Sequence, residues 1–326
     1  MRLSLYPVAL WVVAACASGG QPIDAGPIDG RVVDAPPGEP DAATTDAATT
    51  DAATPDAATP DAATPDARPV DAMVDAPMID GPPPVVASLL LSEIVLAPTG
   101  GEFVEIVNPT GAAVDLSTYY LSDAPQYFRL PEGVAAVAAD ASDFVARFPA
   151  GAMIPAGGVV TVAIDTAANF TVAYPGVTAD YSLASGTMTV LTTGTATLTN
   201  AGEPVVLFNW DGASDLVTDV DIMLAGTPSA ANALVNKSGV AIDGPDANTT
   251  TASFATDANT LPTQSAPASA RSTKRIALES AAVEVQAGAG NGVAGHDETS
   301  EQTNLTWDSA GYTAPTPGQV PPALVP

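Results

Sequence analysis

The chain of 326 residues has one cysteine, one histidine, and nine lysines and arginines against 37 acidic side chains. Each shortage argues against something. A single thiol cannot close an internal disulfide. A single imidazole falls short of zinc hydrolase and nuclease sites, which draw on several His ligands. A formal net charge of −28 repels phosphate, and no basic stripe is visible beyond Arg271, Lys274 and Arg275, so no nucleic-acid partner is expected. No Gly-rich phosphate loop, dinucleotide fingerprint or Gly-x-Ser-x-Gly elbow occurs. The apolar run at the front, Leu3 to Ala15, is interrupted by Ser4 and Pro7. At about 13 residues it is too short for a bilayer crossing, which needs roughly 20.

What that run does resemble is a secretion signal. Arg2 supplies a minimal positive start, and Val13-Ala14-Ala15-Cys16 is similar to a bacterial lipoprotein lipobox, cut before the cysteine so that its thiol can be lipidated. The lone cysteine is thereby explained by modification rather than by structure. The alternative is an ordinary signal cut after Ala17 and a secreted product. Cys16 is thus the expected lipid anchor. With Ala17 after it, the expected residence is the outer membrane of a Gram-negative bacterium, including its cell surface. Residues 1–15 are the expected signal peptide.

From Ala17 to Pro84 there is no Phe, Tyr or Trp, and Asp recurs every fifth residue from Asp41 to Asp71. Thirteen acidic side chains stand against Arg31 and Arg68 in residues 21–84. Such a segment cannot bury enough apolar area to offset the entropy of ordering it, so residues 16–84 are expected to form a disordered tether. It would reach about 200 Å if extended at roughly 3.1 Å per residue. A period of five without glycine does not bring carboxylates together as a calcium loop does.

Composition changes near Val85. Short apolar, β-branched runs follow at Leu89–Leu96, Glu102–Val107, Val159–Ile164, Pro204–Asn209 and Leu216–Leu224, separated by Gly, Pro, Asn and Asp. These read as strands. Only Ala141–Phe148 and Thr166–Tyr174 read as helices. The expected fold class is an all-β sandwich with elaborated loops over residues 85–318, followed by a Pro-rich tail at 319–326.

Several of these segments carry a resemblance. Leu91-Ser92-Glu93-Ile94, then Glu102-Phe103-Val104-Glu105-Ile106-Val107-Asn108-Pro109, then Val114-Asp115-Leu116 through Leu121-Ser122-Asp123 are similar to the opening of a bacterial lamin-tail domain. Ile154 to Val160 resembles the next turn and strand, and Asn200-Ala201-Gly202-Glu203 resembles the family's Asn-x-Gly-Glu hairpin. Leu216 to Val220 and Gly226-Thr227-Pro228 follow in the same order. Ala270-Arg271-Ser272 and Pro315-Thr316-Pro317-Gly318 resemble the closing Ser-x-x-Arg and Pro-Thr-Pro-Gly elements. An insertion at Leu130–Pro149 and a polar stretch at Gly239–Pro267 depart from the pattern. The resemblance implies an immunoglobulin-like β-sandwich; it does not settle function.

No set of residues amounts to an active site. Glu93, Glu102 and Glu105 invite a paired-carboxylate reading, but 102 and 105 fall on opposite faces of a regular strand unless a bulge intervenes. Bonding to loop backbone or an arginine is the expected role. Asp219 and Asp221 share a face in a regular strand, with Asp211 and Asp215 in the preceding loop. These four are the weak candidates for a metal, and loosely bound calcium is the one cofactor they suggest; solvated loop acids are the plainer expectation. His296, Asp297 and Glu301 are the residues a metal-assisted hydrolase of nuclease or phosphoesterase type would use, though a polar surface loop is expected there. Lys274 and Arg275 are expected to solubilise a strand edge. The function expected is a displayed, non-catalytic binding, adhesion or scaffolding module for a protein or polysaccharide ligand. The alternatives are the hydrolase and a calcium-dependent surface protein.

Overall fold

Both faces of nearly every long strand in this chain are buried, which is why its apolar runs are continuous rather than alternating. The computed structural model describes residues 89–226, 235–255, 266–279, 290–299, 303–308 and 311–324. The signal, Cys16 and the tether lie outside the described residues, as do Thr227, Pro228 and Glu301. All described residues belong to one compact unit, within Asp75–Pro326.

In chain order the strands are β1 (Leu90–Val95), β2 (Phe103–Val107), β3 (Val114–Asp115), β4 (Tyr119–Ser122), β5 (Val145–Arg147), β6 (Met153–Ile154) and β7 (Val159–Ala163). After helix α1 (Ala167–Ala173) come β8 (Tyr181–Ser182), β9 (Thr189–Val190), β10 (Pro204–Asn209) and β11 (Thr218–Leu224). The short strands β12 (Ala241–Ile242), β13 (Ala252–Ser253) and β14 (Thr273–Lys274) close the series. One sheet has the order β14-β1-β2-β7-β8 and the other β11-β10-β4-β5-β9. Among the described residues, the strand pairings within these two sheets are antiparallel except β7 with β8. The expected all-β sandwich is what forms.

Leu91, Ile94, Val104, Ile106 and Val162 of the first sheet face Leu121, Ala146, Val205, Leu207 and Met223 of the second across the main core. The outer face of the second sheet, with Tyr120, Val206, Phe208 and Ile222, is covered by Tyr127, Phe128, Leu130 and Val137. That cover comes from the connection between β4 and β5, so the start of the Leu130–Pro149 insertion has a packing role. Ile242 and Phe254 of the later polar stretch join the same cluster. On the first sheet, Phe103 meets Phe170 of α1 and Tyr174 edge-on, at ring-centroid distances of 5.9 and 5.4 Å. Leu90 and Val107 are covered by Leu324, which is fully buried. The last residues, expected to be a separate tail, therefore pack onto the sandwich at least through Leu324.

Of the two expected helices, one forms. Thr166 caps α1 by accepting the Asn169 N–H at 3.2 Å. Ala141–Phe148 instead contains strand β5. Phe144, Ala146 and Phe148 enter the main core while Val145 enters the outer cluster and Arg147 is exposed, a period of two that a helix cannot provide. Among the described residues no helix is long and apolar enough to cross a membrane.

Candidate functional site

The carboxylates singled out in the sequence are mostly buried, and they gather in three places. The first lies across β1 and β2. A register shift between Leu91 and Glu93 marks a bulge at Ser92, and Glu93 pairs directly with Glu105. Like charges in that position repel. The C-terminal segment relieves the repulsion: Thr316 donates its N–H and Oγ1–H to Glu93 at 2.9 and 2.8 Å, and the Gly318 N–H donates to Glu105. Thr161 donates Oγ1–H to Glu105 at 2.5 Å. Lys274 Nζ stands 3.7 Å from Glu93 and donates to Thr316 Oγ1 at 2.8 Å. Burial, only partly offset by these donors, pushes Glu105 up to about 8. Pro315-Thr316-Pro317-Gly318 is thus a strap across the sheet, held by the two glutamates.

The second place is β11 and the segments packed on it. β11 carries an extra residue opposite Leu207 and Phe208, so Asp219 and Asp221 do not share a face, contrary to the regular-strand reading. Nor are they solvated; both are fully buried. Asp219 accepts the Tyr127 hydroxyl at 2.5 Å and pairs with the buried Lys237, whose ammonium lies 5.6 Å from the Phe254 ring centroid. Asp221 Oδ2 accepts the Leu91 N–H at 2.6 Å and an Arg275 N–H at 2.7 Å. Arg275 also donates Nε–H to the Leu91 carbonyl, stands 3.3 Å from Glu279, and lies over the Trp307 ring at 5.2 Å. Arg275, expected to solubilise an edge, is therefore a buried cation like Lys237, whereas Arg271 is exposed. The Ser-x-x-Arg spacing in this segment is met by Ser272-Thr273-Lys274-Arg275, whose arginine lies four residues after Arg271.

The four metal candidates do not converge. Asp211 caps its own turn, accepting the Ala213 and Ser214 N–H groups at 2.8 and 2.7 Å. Asp215 lies instead with Asp243 and Asp246 at the surface. Asp219 and Asp221 are in the two ion pairs. Among the described residues, the other group whose oxygens lie within 4.8 Å of one another is Asp221, Glu279 and Glu298, where Arg275 already supplies positive charge. The His296 segment is not a solvated loop either: Asp297, Glu298 and Thr299 are buried. Asp297 accepts the N–H and hydroxyl of Thr299 at 3.2 and 2.8 Å. His296 is half-buried, and burial lowers its proton affinity.

The third place lies between the sheets at the Leu198–Glu203 turn. Glu102 precedes β2 and accepts the Leu198 N–H at 3.1 Å; burial raises it to about 7. Glu203 precedes β10 and accepts the Thr199 N–H at 2.6 Å. Asp123, directly after β4, accepts the Phe144 N–H at 2.6 Å. The residues before this turn wall a cleft of about 520 Å³ that includes Thr99, Asp165, Thr192, Thr195 and Thr197. Asp123 and Glu203 were legible only as parts of the Leu-Ser-Asp and Asn-x-Gly-Glu elements; nothing local places one against the other.

The Lamin Tail Domain family matches residues 82–243. Among solved structures, a DUF4876 family protein from Bacteroides thetaiotaomicron VPI-5482 is similar at 12% identity and a TM-score of 0.38, covering 73% of this chain and 75% of that one. No curated protein matches the chain. The sandwich and the matched segment lead to one conclusion: through residues 82–243 this chain belongs to the lamin tail domain family, with an immunoglobulin-like fold.

Proposed function

We propose that this protein is a non-catalytic binding or scaffolding module, held at the outer membrane by a lipid on Cys16 and carried away from it on residues 17–84. The observation that carries the reading is the engagement of its carboxylates. Glu93 and Glu105 hold the C-terminal strap, Glu102 holds the Leu198 turn, and Asp219 and Asp221 hold Lys237 and Arg275. Acid–base chemistry needs a carboxylate or imidazole aimed at a space where substrate can sit. Here Glu93, Glu102, Glu105, Asp219 and Asp221 point into backbone, hydroxyls and counter-charges. Recognition then falls to loops and to the cleft beside Asp165, and a ligand of protein or polysaccharide class suits a surface of high negative charge.

Two measurements test this. Cells producing the protein and fed a tagged fatty acid should label the wild type, while Cys16→Ser loses the label and leaves the membrane fraction. An unlabelled wild type removes the anchor from the proposal. Purified protein should not cleave DNA, RNA or simple phosphoesters with magnesium, manganese, zinc or calcium present. Metal-dependent turnover abolished by His296→Ala would establish the hydrolase reading instead.

A further inference from the structure

Three strand ends meet at one corner of the second sheet: β4 finishes there, and β5 and β10 begin. Asp123 and Glu203 lie at that corner, and both are buried. Each carboxyl uses one oxygen to accept a backbone N–H, from Phe144 and Thr199 respectively. The remaining oxygens, Asp123 Oδ2 and Glu203 Oε2, are sealed from solvent and receive no N–H or O–H from another protein group. The two carboxyls nevertheless lie within hydrogen-bonding reach of each other. Two carboxylate ions only accept, so they cannot bond. A carboxylic acid and a carboxylate can, through a single proton that satisfies both sealed oxygens.

We propose that Asp123 and Glu203 share one proton in the folded protein, forming a clasp that ties β4, β5 and β10 to the Leu198–Glu203 turn and opens as that proton is lost. Among the described residues, none of the charged groups acting on the pair is a cation. Asp143 faces the pair from the segment before β5, with Asp140 beyond it, and Glu102 faces it from the segment before β2, with Asp165 beyond. Burial first, then the charges of Glu203 and Asp143, pushes Asp123 well above the ordinary carboxylate range; burial, opposed by the Thr199 donors and joined by Asp143, brings Glu203 up to about 7. The turn continues from Thr192–Thr197, which walls the cleft, so opening the clasp frees one side of that cleft.

The linkage has a definite sign. The folded pair keeps a proton that the unfolded chain releases near pH 4.5, so the clasp's contribution is complete below that pH and disappears as pH rises through about 7.

The test follows the Asp123 and Glu203 carboxyl carbons by NMR in the full-length protein through a pH titration. One proton held jointly until near pH 7, with faster Thr199 and Phe144 amide exchange once it leaves, supports the clasp. Both carboxyls ionised at pH 6 would overturn it. Glu203→Gln offers Asp123 an amide donor in place of the proton. The pH dependence of its melting temperature should therefore lose about one proton between pH 5 and 7 relative to the parent. An unchanged slope in that variant also counts against the proposal. Should the variant not fold, the titration of the parent decides alone.

Discussion

Two regions of this sandwich bury acids in opposite ways. Around β11, Asp219 and Asp221 meet Lys237 and Arg275, so charge is cancelled by charge. At Glu105 and at the Asp123–Glu203 corner, acids meet acids and backbone N–H groups, so charge is suppressed by keeping a proton. The first solution needs a precise partner and loses most when that partner is removed. The second depends on pH. A chain with only six basic residues after Val85, against 24 acidic ones, cannot use the first solution everywhere.

The comparison breaks most sharply at Arg275. Arg275→Ala strands Asp221 in the interior and leaves the Leu91 carbonyl without its donor; a loss of about 3–5 kcal/mol is expected in urea unfolding. Replacing Arg275 with Met, Asp221 with Leu and Glu279 with Leu together should recover much of that loss, because the two buried acids that pair with Arg275 go with it. A triple variant as unstable as the single would mean that packing against Trp307, not charge, makes Arg275 essential.

A smaller effect is expected from pH. Glu102, Glu105 and Glu203 all hold protons more tightly when folded, to about 7, 8 and 7 against 4.5 in the unfolded chain. Stability is therefore expected to be fullest below pH 4.5 and to fall steadily as pH rises through 7–8. Thermal melts across that range measure it. Stability that rises with pH would show that the ion pairs of the other region dominate. Glu105→Gln isolates one contributor: little change at pH 5, and a gain of about 1 kcal/mol over the wild type at pH 8. A loss at pH 8 would show that Glu105 binds the strap as an anion.

The smallest expected effect sharpens the register of the closing motif. Arg271 is exposed, so Arg271→Ala should stay within about 0.5 kcal/mol of the wild type in the same unfolding assay, beside the large loss at Arg275. The two arginines are four residues apart, and sequence likeness alone assigned the motif to Arg271. Burial separates them.

Much of the fold was legible for a local reason. Pro204–Asn209 was read from its apolar run and forms as a strand over the same residues. Leu89–Leu96 and Val159–Ile164 shift by a residue or so at their ends. The candidate sites were not legible, because each depends on something non-local. An alternation at Phe144, Ala146 and Phe148 was hidden by the small residues before it. A single extra residue in β11 reversed the direction of Asp219 relative to Asp221. The partners of Glu93 lie 223 residues away at Thr316.

The sequence by itself determined a lipobox-like front, an acidic aromatic-free tract, the strands and the lamin-tail likeness, since composition, periodicity and short motifs are local properties of the chain. Only the tertiary structure decided which acids meet a cation, which meet another acid, and which hold the C-terminal strap. Those outcomes follow from bulges and from contacts across 18 to 223 residues, where burial makes the choice of partner energetically decisive.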